Sequence, residues 1–541
     1  MKPAAQAGVS TEHKAAFISC LLLAAGLCLF AARLHAGGPL KVAGVSGFNT
    51  GAAGTPLTWA GGAVQYYTDQ GDLSALLPQT EANAFVADAF ARWTSVTTAA
   101  LSATRVGQLD EDVNGSNVVF VDYGQINMPA DIEPAALAKP VAILYDLDGK
   151  VTDALLGQGA GAADMCGSNA VYGGPDNYSS DAHLAHALVV LNGNCAQTNA
   201  ALTDLKYHLI RVLGRVLGLD WVDLNSNVFT RRPYPLPDDY LGFSVMHALD
   251  PYCPSSTMCV SAGDELKMDD RAAISRLYPV TSANLGNFSG KQVFRDNTAR
   301  VQGNVYFRAR NGLAAQPMQG VRLVARWIDT ASGLPSRRYG AVSVSGFLFR
   351  GNAGNPATGF TTISGERYDR FGSDDPVWEG YFDLAGLEFP DGGESAQYQI
   401  TAEAVEPLCA EPTSVGPYRD GQVTPSGTAA AFTVTLRKGD DLTHDFIMSG
   451  SSLPTGENGG TFSAPARLPA GGNWTGWLSP YGNVDYYSLA ARANRTITVK
   501  VTALNESGKA TQSKARPVVG IWQGNAAAGS LPDVSVTYFN G

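Results

Sequence analysis

Positive charge is scarce in this sequence. Only 16% of its 541 residues are charged, the formal net charge is −11, and no segment concentrates Lys and Arg. That removes the electrostatic footprint of a nucleic-acid binder and the polybasic stretch that holds an anionic membrane. Past residue 36 no apolar run is long enough to span a bilayer. A nucleophile elbow, a phosphate loop and internal repeats are also missing. Cysteine is sparse: seven residues, two of which, Cys20 and Cys28, fall in the first 36.

What remains is a chain long enough for about three domains. Its hydrophobic content of 45% is ordinary for a globular protein. With 60 Gly and 29 Pro, the composition favours strands and turns over long surface helices.

Lys2 and Lys14 precede an apolar run from Ala15 to Ala32, and Leu34-His35-Ala36 places a small residue before a cut. The pattern predicts a signal peptide over 1–36 and a secreted, extracellular chain, with retention in the cell envelope left open. An uncleaved signal anchor is the alternative, since the run nearly spans a bilayer. The Ala-rich core and the Gly37-Gly38-Pro39 that follows favour cleavage. In an oxidising compartment disulfides are expected. The pairing Cys166–Cys195 and Cys253–Cys259 keeps each bond within one predicted domain, each adding about 3 kcal/mol by loop closure. Cys409 is then left over and is read as a small buried hydrophobe.

Both periodicities occur over 37–280. Ala63–Tyr67, Val118–Val121, Val141–Tyr145 and Leu188–Leu191 read as strands, the middle two as short buried ones. Val86, Ala89, Phe90 and Trp93 make the apolar stripe of a helix beginning near Glu81. Leu205, Leu209, Val212 and Val216 make a second, with Thr203 as its N-cap and Gly218 as its stop. Asp269–Leu277 suggests a third. Residues 281–297 read as a linker. Beyond them Val321, Leu323, Ala325 and Trp327, and then Tyr398, Ile400, Ala402 and Ala404, alternate as strands of an antiparallel sandwich over 298–448. A polar spacer over 449–462 leads to 463–541, where Ile497, Val499, Val501 and Ala503 alternate. That last stretch is short for a two-sheet sandwich near 100 residues, which suggests a truncated domain. The expected fold is therefore multidomain, an α/β (α+β) domain followed by two antiparallel β-sandwich domains.

The segment Tyr207-His-Leu-Ile-Arg-Val-Leu-Gly-Arg-Val-Leu-Gly-Leu-Asp-Trp221 bears on function. Its frame resembles the metzincin motif H-E-x-x-H-x-x-G-x-x-H, with Arg211, Val212, Arg215, Gly218 and Trp221 at the fixed positions. Its filling resembles the matrixin branch of that class. Ala89–Val96 resembles the family's first long helix, Ser244-Val-Met-His247 its Met-turn around Met246, and Asp269–Tyr278 its closing helix. The resemblance spans about 40–280 and implies a metalloendopeptidase-like fold.

It departs from the family at the chemistry. In intact members three histidines hold Zn²⁺ and the glutamate activates its water. Arg211 and Arg215 have no electron pair to lend near neutrality, Trp221 offers only an N–H donor, and Val212 is no base. No catalytic residue and no zinc are expected, and the favoured function is a binding or structural role outside the cell, played by a catalytically inactive framework. The alternative is an active secreted zinc peptidase using other ligands, drawn from His183, His186, His208 and His247. Arg211, Arg215 and Trp221 could form a cationic, aromatic pocket for a carboxylate or acidic peptide. Against that stands the reading that both arginines pair with Asp220 or Asp223 at the surface. An extracellular protein or peptide ligand is the partner class left open; nucleic acid and membrane are not expected.

Asp146, Asp148 and Asp153 around Gly149 are candidate Ca²⁺ ligands, with Asp110–Gly115 a weaker case. The missing later ligand positions exclude an EF-hand, and an Asp-Gly turn also explains the pattern. Gly380–Leu387 leading to Tyr398-Gln-Ile resembles the carboxypeptidase regulatory-like domain, a prealbumin-like sandwich. Asn483–Leu489 resembles the pre-peptidase C-terminal module. Both resemblances imply accessory roles.

Overall fold

The computed structural model describes residues 38–43, 47–52, 55–121, 125–222, 224–225, 227–230, 234–247, 263–307, 316–317, 321–346, 380–404, 423–425, 431–450, 460–468, 474, 485–502, 519–526 and 534–537. The expected signal segment 1–36, Asp223, Cys253, Cys259, Cys409 and Ala503 lie outside them. The described part is a multidomain α+β arrangement of several sheets with helices.

The first sheet has five strands: β1 (Ala63–Thr68), β2 (Ser102–Gln108), β5 (Val141–Asp146), β6 (Val171–Tyr178) and β7 (Leu184–Asn192). Their order is β2-β1-β5-β7-β6, all parallel except β6, which runs antiparallel to β7 at the edge. β5 is buried at every position. That is the environment of a parallel strand covered on both faces, and it explains the unbroken apolar run Val141–Tyr145. One face packs against α1 (Gln79–Thr94) and α3 (Asn199–Val216) through Phe90, Trp93, Leu209, Leu213, Ile143 and Val189. The other packs Leu144 and Val190 against Leu109, Val118 and Ile132, with Val151 of the short helix α2 (Lys150–Leu156).

Several expectations change here. α3 begins a turn before Thr203, because the Thr198 hydroxyl accepts from Ala201 N at 3.1 Å and caps it. Of the expected buried strand 118–121 only Val118 is buried; Val119, Phe120 and Val121 are exposed. β3 (Val119–Phe120) pairs only with β4 (Ile126–Asn127), and Phe120 is 55% exposed. The expected linker 281–297 is fastened to the first unit: Lys291 Nζ donates to Val96 O at 2.7 Å, and Gln292 N to Thr97 O at 2.8 Å. Cys166 and Cys195 are disulfide-bonded as expected.

Beyond residue 298 two sheets share one core. The first has the order β11-β10-β13-β15, made of β10 (Val321–Ile328), β11 (Pro335–Val344), β13 (Ser395–Ala404) and β15 (Ala431–Arg437). The second is centred on β8 (Ala299–Phe307), which pairs with β9 (Gln316–Pro317), β12 (Tyr381–Leu387), β16 (Asp441–Thr443) and β17 (Phe446–Gly450). β14 (Val423–Pro425) adds to β17. Val321, Leu323, Ala325 and Trp327 point into this core with Tyr398 and Ile400, as their alternation predicts. In 463–541 the expected strand at Ile497–Val501 is absent. Ile497, Val499 and Val501 lie outside any ladder among the described residues and are each near half exposed.

The two units meet at α4 (Met268–Leu277). Asp270 turns back to the first unit, accepting from Val245 N and Met246 N at 3.0 Å each and from Lys267 N at 2.8 Å, with the Ser244 hydroxyl as a further donor. Its neighbour Asp269 faces the other way and accepts from Val342 N of β11 at 2.8 Å. Arg271 makes a two-point pair with Glu388 at 2.7 and 2.6 Å, and Asp383 of β12 receives both Arg276 and Arg300. Gly386, at φ +82°, touches Ala272: a Cβ there would come within 2.9 Å of its Cα. Met268 joins the β-sheet core, while Val324 and Val342 join that of the first unit.

Burial pushes the Asp269 carboxyl up to about 7; the Val342 N–H and Arg276 oppose the shift and Asp270 adds to it. An acid whose folded pKa is raised contributes stability that is full below its unfolded pKa near 4. The contribution falls as pH rises toward about 7, by an amount on the order of 4 kcal/mol. Asp269→Asn keeps an acceptor for Val342 N and cannot ionise. Thermal unfolding should therefore find the variant more stable than the natural chain at pH 8, with the difference shrinking toward pH 5. A difference that does not change with pH would refute the assignment.

Candidate functional site

The five motif positions gather at the C-terminal end of α3. Gly218 takes φ +90°, so the chain leaves the helix and doubles back, with Leu219 N donating to Gly214 O at 3.0 Å. Only glycine suits the place: a Cβ would lie 2.8 Å from Leu57 O. The carbonyls left over at the helix end are satisfied from elsewhere in the core. Trp59 Nε1 donates to Val216 O and the Tyr278 hydroxyl to Leu217 O, both at 2.8 Å.

The bend carries Trp221 back over the two arginines. The Arg215 guanidinium lies 4.7 Å and that of Arg211 5.1 Å from the Trp221 ring centroid, within cation–π range. Arg215 Nη1 donates to Asp220 Oδ1 at 2.5 Å, and that oxygen also accepts from Trp221 N at 2.9 Å. Arg211 is buried; its Nη2 donates to His247 O at 2.7 Å, and the Tyr207 ring lies 5.4 Å from its guanidinium. Arg215 pairs with Asp220 as the surface-pairing reading expects, although that carboxylate is only 5% exposed; Arg211 holds the His247 carbonyl, and its other expected partner, Asp223, lies outside the described residues. Val212 packs at the margin of the apolar core.

Met246 lies beneath α3. A Cβ on Gly214 would come 2.3 Å from its Sδ and 2.8 Å from Trp93 Cζ2, so the missing side chain is what lets the turn approach. Val222 N donates to Met246 O at 2.8 Å, tying the doubled-back chain to this turn.

The histidines are dispersed. His183 Nδ1 is 3.2 Å from Thr58 O, and the buried His186 Nδ1 is 2.6 Å from Asp176 Oδ1. His208 Nε2 is 3.6 Å from Asp204. The His247 ring lies 4.3 Å from that of Phe243. The calcium candidates do not converge either. Asp146 accepts from Val151 N, Thr152 N and the Thr152 hydroxyl at the start of α2; Asp148 pairs with Lys150; Asp153 accepts from Gly161 N. Among the described residues no three His, Cys, Asp or Glu side chains are grouped to hold a metal ion.

Sequence reasoning missed Lys41. Segment 38–43 pairs with the bend: Leu40 N donates to Gly218 O at 2.7 Å and Asp220 N to Gly38 O at 3.0 Å. Burial holds the Lys41 amine below the usual lysine value, the Arg215 charge lowers it further, and Asp176 acts the other way. No local pattern could have revealed this, because the approach depends on pairing across nearly 180 residues.

No protein-family model and no curated protein matches the chain. Among solved structures it is similar to the minor pilin GBS52 of Streptococcus agalactiae, at 11% identity over 29% of this chain and 47% of that one. The TM-score is 0.14, too low to bear on fold or function.

Gly218 and Gly333 both have positive φ, but a Cβ on Gly333 meets nothing within 4 Å. Gly333→Ala should cost about 1 kcal/mol. Gly218→Ala should cost clearly more, about 2–4 kcal/mol, because a backbone clash adds to the strain. Urea unfolding of the two variants measures the difference; equal losses would contradict the close approach to Leu57.

Proposed function

We propose that this chain is an exported, catalytically silent relative of the matrixin-type metzincins, acting outside the cell by binding or scaffolding. The observation that carries the reading is the stack of Arg211 and Arg215 on Trp221. These positions align with the three histidines of the family motif. Guanidinium cannot ligate a cation near neutrality, and two of them repel one. Both are anchored as structural groups, on the His247 carbonyl and on Asp220.

Three features support descent from a metal-holding framework. Gly218 keeps the bend that delivers a side chain from beyond the helix. Met246 lies under the helix, against Gly214. The helix also keeps its frame, with residues 211 and 215 one turn apart, although its chemistry is gone. The sheets beyond residue 298 are read as a prealbumin-like sandwich acting as an accessory domain. The Cys166–Cys195 bond fits an oxidising compartment.

The test is elemental analysis of the purified full chain together with a cleavage assay on denatured protein substrate, with and without chelator. We expect well under one zinc per chain and no chelator-sensitive cleavage. The variant combining Arg211→His, Val212→Glu, Arg215→His and Trp221→His should instead take up about one zinc, because the bend is retained. Stoichiometric zinc and chelator-sensitive cleavage in the natural chain would overturn the proposal.

A further inference from the structure

The turn between β6 and β7 and the chain ahead of β1 enclose a surface cavity of about 390 Å³. Asn49, Thr55 and Thr58 line one side of it, and Asp181, Ala182 and His183 the other. The two sides are fastened together. Asn49 N donates to Ser180 O at 2.8 Å, Thr58 N to Ala182 O at 3.3 Å and Leu184 N to Thr58 O at 2.9 Å. The Asn49 side-chain amide donates to Asp181 Oδ1. The walls are therefore set before any ligand arrives.

The backbone of this turn is uncommon. Among the described residues three non-glycine positions have positive φ, and two of them are Asn, which tolerates it. The third is Ala182, at φ +63°. Its two neighbours, Asp181 and His183, both line the cavity. Strain of this kind gathers at ligand clamps.

The polar groups on the wall are sorted by kind. The Thr55 hydroxyl donates to Ala52 O, and Ala52 N to Asn49 O at 2.8 Å. His183 Nδ1 lies 3.2 Å from Thr58 O. A carbonyl only accepts, so the neutral ring carries its proton on Nδ1 and its lone pair on Nε2. Three acceptors are left: the Thr55 oxygen, His183 Nε2 and Asp181 Oδ2. None of them receives a hydrogen bond from a described residue. No Lys or Arg lines the cavity.

We infer that this cavity binds a primary ammonium group. Three acceptors on three residues suit the three N–H donors of an ammonium, and the Asp181 carboxylate offsets its charge. A guanidinium is the poorer match: its fork takes both oxygens of a carboxylate, and Asn49 already holds one of them. The inference goes beyond the binding role proposed above and does not depend on it.

The ammonium could belong to a peptide N-terminus or to a lysine side chain, and one experiment separates the two. The full chain is titrated calorimetrically, with chelator present, with Ala-Ala-Ala amide, acetyl-Ala-Lys-Ala amide and acetyl-Ala-Ala-Ala amide. At least one of the two amines should bind about tenfold tighter than the neutral acetylated peptide, and whichever it is identifies the source. Asp181→Asn keeps an oxygen for Asn49 and removes the charge; it should abolish most of the preference. Glu394→Gln removes an 85% exposed carboxylate of the β-sheet unit and should leave the preference intact. Thermal unfolding checks that both variants fold. Equal affinity for all three peptides, or no binding of either amine, overturns the inference. So does a preference that survives Asp181→Asn, or one that falls equally in Glu394→Gln, which would mark a general attraction of this acidic chain for cations. The zinc and cleavage measurements test the silent-peptidase reading separately.

Discussion

Two adjacent carboxylates pointing in opposite directions hold the described structure together. Asp270 gathers the backbone N–H groups of Val245, Met246 and Lys267, fixing the turn beneath α3 and the start of α4 with one side chain. Asp269 reaches across to Val342 of the neighbouring sheet. Neither could be replaced by an apolar residue without leaving buried N–H groups unpaired, at about 1–3 kcal/mol each. The floor of the candidate site and the seat of the β-sheet unit are therefore one construction. A disturbance at the sheet interface has a short path to Met246, from Asp269 along the backbone to Asp270 and across its hydrogen bond from Met246 N.

That rigidity bears, on the proposed reading, on how the site closes without a central ion. On the proposed reading, a dication once drew the helix and the returning chain together. The same closure is now made by the Trp221 ring lying against two guanidinium groups, with Asp220 offsetting one charge and the His247 carbonyl receiving the other. A buried charge needs partners, and these partners come from the bend and the turn rather than from solvent. The substitutions at 211, 215 and 221 then make sense as a set, because each arginine needs the ring and the ring needs both.

Much of the first unit was legible in the sequence because its signals are local. The apolar stripes on α1 and α3, the unbroken run of β5 and the glycine stop at 218 each reflect one element's own period or terminus. The misreadings fall where a distant partner decides the outcome. Val118–Val121 has the branching of a buried strand, yet only Val118 reaches the core; among the described residues Val119–Phe120 pairs with a two-residue neighbour alone, and Val119 to Val121 stay exposed. Ile497–Val501 alternates without joining a ladder among the described residues. In the site, the motif spacing named Arg211, Arg215 and Trp221 but could not show Arg211 buried on a carbonyl. It also could not bring in Lys41, whose place depends on pairing of Gly38 and Leu40 with a bend far along the chain.

That pairing also gives the expected export signal a structural consequence. Gly38 O receives the amide of Asp220, the residue that anchors Arg215. A cut after Ala36 would leave only Gly37 ahead of a backbone already fastened to the site. Pro39, whose ring fixes φ, stiffens the segment that leads from this pairing to Lys41. On the proposed reading, the expected cut after Ala36 would fall just ahead of the backbone that pairs with the bend at Gly218 and Asp220, so a displaced cut would reach that pairing as well as the terminus.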